Sequence, residues 1–431
     1  MGMRSYHEVL ESPVKGVYDV IVCGAGPAGI GAAVSAGRAG AKTLLIEQCG
    51  SVGGTSTVGL MSHFTGTVDH KFYREILRRA KEKNYFDFAE DFFIDQENLK
   101  LTYLEMLEEA NAEILLYTFV SDAVKEGNAV KGVVVENKSG RGVYLAHTVI
   151  DCTGDGDVAF KSGAAFFAGR ETDGVEQPAT LMFKIGGVDM ERACLPGSFE
   201  TQVPTQKGEL QALAKQKLPY PAGHVLLMKT PVPGVVCCNM TNAVGIDGTK
   251  AEDLTRAEIS CRKQLAPIIA FLREYAPGYE NCYLLTTASL IGIRETRHFK
   301  GVKSITEEDI LAARQFDDAV VFGAWFNFDV HNMTGAGLDE TGVQEKFTQK
   351  KGYTIPYGCL VPEQVDGLLL AGRNISGTHM AHSNFRAMPI CVATGWAAGM
   401  AEAIAAREKI LPRNVDPKIV QAAGQSEKKQ S

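Results

Sequence analysis

The chain has no Cys-x-x-Cys pair and no regular cysteine framework. Its ten cysteines are scattered through apolar stretches, and only Cys237 and Cys238 are adjacent. Zinc and iron–sulfur sites of the thiolate kind need closely spaced cysteines, so neither is expected and no metal site is assigned. Buried thiols in a reducing compartment are the default. Positive charge is not in excess either. The formal net charge is −7, which argues against nucleic-acid binding through a basic surface. No apolar run is long enough to span a bilayer, and the opening residues, MGMRSYHEVLESPVKG, carry no apolar signal core. A cytoplasmic protein without a membrane span is the resulting expectation. Internal repeats and low-complexity segments are lacking as well.

What the chain does have is a dense block near its start. Asp19 to Glu47 reads DVIVCGAGPAGIGAAVSAGRAGAKTLLIE. An apolar strand runs into a turn holding Gly24, Gly26 and Gly29. A small-residue helix opened by Pro27 and Ala28 follows, then a second apolar strand closed by an acid. Each part suits a dinucleotide. Gly24 permits the tight turn, Gly26 has no Cβ and lets a pyrophosphate approach the backbone, and Gly29 lets the helix pack closely on the sheet. Free N–H groups at the helix start and the positive end of its dipole favour phosphate by roughly 0.3–1 kcal/mol per charge. Glu47 stands where a carboxylate can accept hydrogen bonds from ribose hydroxyls. The flanks agree, because VIV and TLLI both read as buried parallel strands.

The 431 residues are 45 % hydrophobic and 22 % charged, an ordinary globular composition with room for about two domains or one domain with a large insertion. After a glycine-containing loop from Gly50 to Gly66, helices are expected around Lys71–Lys83 and Gln96–Ala110, the second capped by Asp95. AEILLYTFV and AVKEGNAVKGVVVENKSGRGVYLAHTVIDCTGDGD read as short strands with turns at Gly127–Asn128 and Ser139–Gly140. That is a β-meander where a dinucleotide fold usually has a crossover helix. From about Gly169 to Asp329 the pattern changes. Strand-like ATLMFKIGG, GVVCCNMT and YLLTTASLIGI alternate with a long amphipathic helix, Leu254–Tyr275, and no second glycine turn opens a βαβ unit. This portion reads as a substrate or cap domain. VDGLLLAGR returns to dinucleotide-fold character, followed by an Ala/Gly-rich helix from Ala387 to Arg407 and a polar tail expected to fray beyond Pro412. The expected division is 1–168 and 331–412 for two parts of one nucleotide-binding domain, 169–330 for the cap, and 413–431 for the tail.

In this order the blocks resemble the FAD-dependent oxidoreductases with a glutathione-reductase-like FAD fold. More narrowly, the chain resembles the bacterial family known simply as FAD-dependent oxidoreductases. The carriers are DVIVCGAGPAGIGAAVSAGRAG, IEQCGSVGGTST, VIDCTGDGDVA, GIRETRHFKG with ITEEDI, FNFDVHN, and IPYGCLVPEQVDGLLLAGRNISGTHMAHSNFRAMPICVATGWAAG. The likeness is weakest from about Glu191 to Ala251. It implies an α/β fold: a Rossmann-like FAD-binding domain, its parallel sheet crossed over by the β-meander, with an inserted α+β substrate or cap domain. It also implies FAD held non-covalently. Gly24, Gly26 and Gly29 would hold the pyrophosphate and Glu47 the adenosine ribose. Gly53, Gly54 and Thr55, with Ser56 beside them, would line the ribityl and pyrophosphate segment. Thr153, Gly154 and Asp155 would stand beside the cofactor at a strand end. Gly372 and Arg373 lie where the superfamily has a Gly-Asp pair for the ribityl-phosphate. The arginine departs from that pattern, is usual in the narrower family, and can pair with phosphate directly. Disulfide reductases of this fold carry a cysteine pair after the glycine pair. Here the place reads GGTSTVGL, with Ser56, Thr57 and Leu60, so a thiol relay is not expected. Their second nucleotide fold for NAD(P)H is missing too, and Cys49 is left as structural.

Three polar clusters are candidates for the chemistry. The densest is His379, His382, Ser383, Asn384 and Arg386, in a region that in this fold approaches the isoalloxazine pyrimidine edge. His382 is the first candidate for general base or acid and His379 the second. Arg386 would hold a substrate oxyanion or the flavin O2. The alternative is that these histidines cap the helix or bond backbone carbonyls. In the second cluster, Arg294, Glu295, Arg297 and His298, the two arginines either face one carboxylate or phosphate or pair with acids to lock the cap. In the third, Asp329, His331 and Asn332, strand alternation would point Asp329 and His331 one way and give a base oriented by a carboxylate. Those two are too few for a metal. His63 would touch the flavin or attach to it. The reading that results is an FAD enzyme that oxidises or reduces a small polar organic substrate (alcohol, hydroxy acid, sugar or enoate) by hydride transfer, with a further electron acceptor or donor. A flavoprotein subunit of an electron-transfer or RNA-modifying assembly and a non-enzymatic FAD-binding redox sensor are the alternatives. A homo-oligomer is left open.

Overall fold

The computed structural model describes residues 8–61, 63–90, 92–339 and 349–426. Its centre is a seven-stranded sheet. From the first block come β1 (Val14–Cys23), α1 (Pro27–Arg38) and β2 (Thr43–Ile46). They are followed by α2 (Lys71–Lys81), α3 (Gln96–Glu109) and β3 (Glu113–Leu115). Asp95 caps α3 as expected, accepting from the Glu97 and Asn98 amides at 2.9 and 3.3 Å. The meander is β4 (Thr118–Glu126), β5 (Ala129–Asn137) and β6 (Gly140–Asp151). Sheet order is β3-β2-β1-β6-β5-β4, and Leu368–Leu370 also pairs with β6. β6 joins the two halves. Its end is parallel both to β1, with Ile21 opposite Val149, and to Leu368–Leu370, while its start is antiparallel to β5. The meander therefore replaces the crossover helix, and the α/β, Rossmann-like reading holds.

A second sheet lies in the following stretch. After α4 (Asp157–Lys161) and β7 (Phe166–Ala168) come β8 (Phe183–Gly186), the two-residue strands β9 (Pro204–Thr205) and β10 (Gly208–Glu209), and α5 (Leu210–Lys217). Then come β11 (Leu227–Lys229), β12 (Val236–Cys238), α6 (Ala251–Tyr275) and β13 (Tyr283–Thr287). The antiparallel order is β11-β12-β8-β13. Its own apolar core joins Phe183, Ile185 and Val236 to Leu265, Ile268 and Phe271 of α6. α6 starts one turn before the expected Leu254, because Glu252 and Asp253 suit the positive end of its dipole.

The chain then rejoins the main core through β14 (Arg297–Phe299), α7 (Glu307–Leu311), β15 (Ala319–Ala324), β16 (Tyr353–Pro356) and β17 (Leu368–Leu370). It ends in α8 (His379–Phe385), α9 (Met388–Glu408) and α10 (Pro417–Ser426). Phe299, Ile305, Ile310, Val321 and Phe328 already pack in the core of the large sheet, so by packing the return begins near Phe299, ahead of the expected position 331. The tail also differs from its expectation. Val415 and Val420 are buried in the same core, which turns residues 417–426 into a docked helix; 427–431 lie outside the described residues.

α1 and α9 touch backbone to backbone. A Cβ on Gly31 would overlap the Val392 carbonyl, one on Gly395 the Ala28 carbonyl, and one on Gly399 the Ala32 carbonyl. The Ala/Gly runs of both helices serve this approach. α9 is long and apolar enough to cross a membrane, but 94 % of its apolar window is buried inside the protein, which accounts for its composition. Gly395→Val should lower the denaturant midpoint by the equivalent of about 1–3 kcal/mol, the usual cost of overpacking. Gly197→Ala, where an added Cβ meets nothing, should change stability by less than about 0.5 kcal/mol. Equal midpoints in urea for the two variants would refute the close-contact account.

Candidate functional site

A cleft of about 670 Å³ runs from the start of α1 across the strand ends to the second sheet. One end is lined by Gly24, Gly26, Pro27, Ala28, Glu47, Gly54, Thr55, Thr153, Gly154, Asp155, Gly372 and Arg373. Thr180, Asn239, Arg294, Asp329, His331 and Arg386 line the other. Segments far apart in sequence thus meet as the motif order implied.

The first end is built from backbone. Gly24 holds φ +95° and its amide donates to the Ile46 carbonyl at 2.7 Å. A Cβ on Gly29 would overlap the Gly24 carbonyl, whereas one on Gly26 would enter open space. Gly29 thus serves packing, and Gly26 faces the room a ligand would use. The Glu47 carboxylate is held by the Ala25 amide at 2.7 Å and the Cys49 amide at 2.8 Å, leaving lone pairs for ribose hydroxyls. Gly53 and Ser56 do not line the cleft. The Gly53 amide donates to the Ala25 carbonyl, and Ser56 Oγ turns inward to the Gly53 carbonyl at 2.7 Å. Both shape the loop that presents Gly54 and Thr55.

Asp151 was not singled out from the sequence, yet it organises the next loop. It ends the apolar strand TVID, and an acid in that place was the available signal. Fully buried, it accepts from the Thr153 amide and hydroxyl and from the Ala159 amide; burial pushes its carboxyl up to about 6. Asp155 takes a hydrogen bond from Thr296 at 2.8 Å and pairs with Arg373 Nη2 at 2.9 Å. Arg373 therefore meets a carboxylate first, where a direct phosphate partner was expected. Its Nη1 is buried without a hydrogen-bond partner, a spare donor.

At the far end, Asp329 sits in irregular backbone and His331 at an isolated β-bridge to Leu338, in place of the expected strand. They still pair, Nε2 to Oδ2 at 3.4 Å, because Arg386 Nη2 pins both the Asp329 carbonyl and its carboxylate at 2.7 Å. Burial alone would raise the Asp329 carboxyl, but His331, Arg386 and Arg294 hold it below the usual range. Burial, aided by Arg294, pushes the His331 imidazole down to about 4 against the pull of Asp329. Arg294 donates to the neutral Pro178 carbonyl. Burial and the neighbouring Arg386 charge push its guanidinium down to about 9, still cationic at neutral pH. Arg297 does not join it. It bonds Asp155 and Asp157 and lies over Phe160, which is the locking role left open from the sequence.

His379 and His382 do not reach the cleft. His379 Nδ1 bonds the buried Glu295 at 2.7 Å, and His382 packs against His298 and Phe385. Both are about 1 % exposed, which removes them from direct contact with a substrate. The two were expected at the flavin because this region of the fold approaches the isoalloxazine pyrimidine edge. Only the longer arginine extends from α8 to Asp329. His63 packs against Phe92 and Phe93, away from the cleft lining, and burial pushes it down to about 4. All ten cysteines are free and burial drives each thiol upward, Cys49 to about 11. No thiolate stands ready for a disulfide relay.

A glycine turn at a helix start, an amide-anchored carboxylate after the second strand, and a second strand-end loop with a spare arginine donor define a dinucleotide-binding flavoprotein cleft. Residues 19–423 match the family described as FAD dependent oxidoreductase, and the chain belongs to that family. By family it is an FAD-dependent oxidoreductase, with FAD as its cofactor. Thiamine thiazole synthase of Aeropyrum pernix is 32 % identical over 137 residues, covering 32 % of this chain and 50 % of that protein. Soluble pyridine nucleotide transhydrogenase of Colwellia psychrerythraea is 32 % identical over 143 residues, covering 33 % and 28 %. The chain thus spans about half the length, or less, of these curated relatives. Among solved structures, p-nitrophenol 4-monooxygenase of Pseudomonas putida DLL-E4 aligns over 94 % of this chain and 84 % of its own, with TM-score 0.52 and 11 % identity. A flavin-dependent brominase aligns over 95 % and 83 %, with TM-score 0.51 and 11 % identity. These two share the fold.

Since a Cβ on Gly26 meets no protein atom, Gly26→Val should leave the apoprotein melting curve in place and weaken FAD binding at least tenfold. Fluorescence titration of the apoprotein measures the second quantity, and unchanged affinity would show that the pyrophosphate lies elsewhere.

Proposed function

We propose that the protein oxidises or reduces a small polar organic molecule by hydride transfer with FAD, and that the molecule carries a carboxylate or carbonyl oxygen. A hydroxy acid or an enoate suits this better than a plain alcohol or sugar. FAD, when bound, accepts or supplies the hydride. The observation that carries the reading is the buried Arg294 guanidinium in the cleft wall, bonded to a neutral carbonyl and crowded by a second arginine. Arg386 has its counter-ion in Asp329, so the pair of arginines is one negative charge short. An anionic substrate supplies that charge, with about 1.5–3 kcal/mol for each charge-assisted hydrogen bond.

His331 lies on the same wall and is neutral at physiological pH, so its imidazole is able to take a proton from a substrate hydroxyl. Asp329 then stabilises the imidazolium and fixes the ring. In the reverse direction the same pair returns the proton. Phe199, edge-on to His331 at 5.0 Å, covers the ring and keeps water from it.

His331→Asn should retain FAD and slow anaerobic flavin reduction by roughly 10²-fold or more. In the parent enzyme the rate should hold from neutrality downward and fall only as the pH approaches about 4, where the imidazole becomes protonated; the variant should lose this limb. Arg294→Met should raise KM for hydroxy acids or enoates by about tenfold or more and leave neutral alcohols unaffected. Stopped-flow bleaching of oxidised FAD by hydroxy acids, alcohols and sugars, and return of colour when pre-reduced FAD meets enoates, read both. A His331→Asn rate equal to the parent rejects the base, and equal loss on charged and neutral substrates rejects the arginine anchor.

A further inference from the structure

The cluster behind the cleft takes no part in the proposed hydride chemistry. Glu295 lies just before β14, His298 within it, and His382 on α8. All three are buried, at 1, 0 and 1 % exposure. One ligand atom from each lies within 4.8 Å of the other two, and the imidazole rings of His298 and His382 are 4.3 Å apart.

Hydrogen-bond accounting at this cluster leaves a gap. His298 Nδ1 faces the Gly377 carbonyl at 3.2 Å. A carbonyl only accepts, so Nδ1 carries a proton and donates. In the neutral ring, Nε2 then turns a lone pair toward Glu295 Oε1, 3.0 Å away. Two lone pairs at that separation in a dry interior repel unless a cation or a further proton lies between them. Nε2 has no partner in hydrogen-bonding geometry, and Nδ1 of His382 is also buried without one. The carboxylate is meanwhile steadied from outside by His379 Nδ1 at 2.7 Å and the Gln177 amide at 3.2 Å.

A backbone carbonyl on the far imidazole nitrogen and an outer hydrogen bond on the carboxylate are the supports that metal-ligating side chains carry. Two imidazoles and one carboxylate suit zinc or ferrous iron, with ligand bonds of about 2.0–2.2 Å. Ligand atoms around such an ion stand about 3.4 Å apart, inside the range spanned by these three. We propose that Glu295, His298 and His382 form a binding site for a divalent transition-metal ion of this class. The ion would tie β14 to α8. Arg386 caps the C-terminal end of α8, so the site also sets where that guanidinium enters the cleft.

The test uses the FAD-loaded full chain. The protein is stripped with a chelator and reloaded with Zn²⁺, or with Fe²⁺ under anaerobic conditions. Bound metal and FAD are then counted by mass spectrometry and absorbance. Stoichiometric retention of one of the two ions is expected, and which one is retained assigns the metal. His298→Gln and His382→Gln should keep FAD and lose the metal. His379→Gln, a positioning change, should weaken it by about 10–100-fold. Parent protein that retains neither ion overturns the proposal without recourse to any variant. So does metal retained at the parent level in His298→Gln and His382→Gln proteins that keep their FAD.

Discussion

The contact of α1 with the backbone around it is the constraint on which the cleft depends. On one side Gly29 rests on the Gly24 carbonyl; on the other, Gly31 meets α9, whose Gly395 and Gly399 close on Ala28 and Ala32. With no side chain between these backbones, the start of α1 cannot slide or tilt without a clash. The direction of its free N–H groups is therefore set by covalent geometry and packing, and no ligand is needed to set it. Thr394, one residue before Gly395 on α9, accepts from the Gly372 amide at 3.1 Å. The strand end carrying Arg373 is thereby located relative to the same helix pair. The free amides of α1 and the arginine donor are positioned by one packing solution.

The opposite end of the cleft is organised by charge. Burying Arg294, Arg386, Asp329 and His331 together is costly unless the charges compensate. Asp329 is the only anion of that group and serves both Arg386 and His331. It is held ionised because three cationic or protonatable neighbours outweigh its desolvation. Arg294 is left with a neutral acceptor, and its depressed guanidinium expresses the missing charge. A site that is short of one anion before substrate arrives favours a substrate that brings it, and disfavours one that leaves the arginines facing each other.

Much of the fold was legible because the relevant signals are local. The glycine turn, the buried strands VIV and TLLI, and the meander turn at Gly127–Asn128 each depend on a few adjacent residues and form as read, while the second turn falls one residue early, at Lys138–Ser139. Most residues expected at the cofactor line one cleft, since a turn glycine or a strand-end acid is placed by a few neighbours. Less legible was whatever depended on tertiary context. Asp329 and His331 pair while Arg386, 57 residues from Asp329, fixes the carboxylate, a contact the local sequence does not announce. The polar composition of 413–426 hid two valines that dock the last helix. Asp151 looked like an ordinary strand end until its three hydrogen bonds showed it holding the loop at Thr153.

The segment from His379 to Arg386 shows most directly how sequence clustering misleads. Residues 379, 382 and 386 fall in one dense polar cluster of the sequence and read as one site. They do share a face, and it is turned toward Glu295. Side-chain length then separates them. The short imidazoles stop at the buried carboxylate, whereas the guanidinium passes beyond the end of α8 to reach Asp329. A single helix face thus supplies two polar centres, a dry one at Glu295 and one at the cleft wall. Any displacement of α8 is felt by both, so whatever settles the charge and proton balance at Glu295 also determines how firmly Arg386 is presented to Asp329 at the cleft wall.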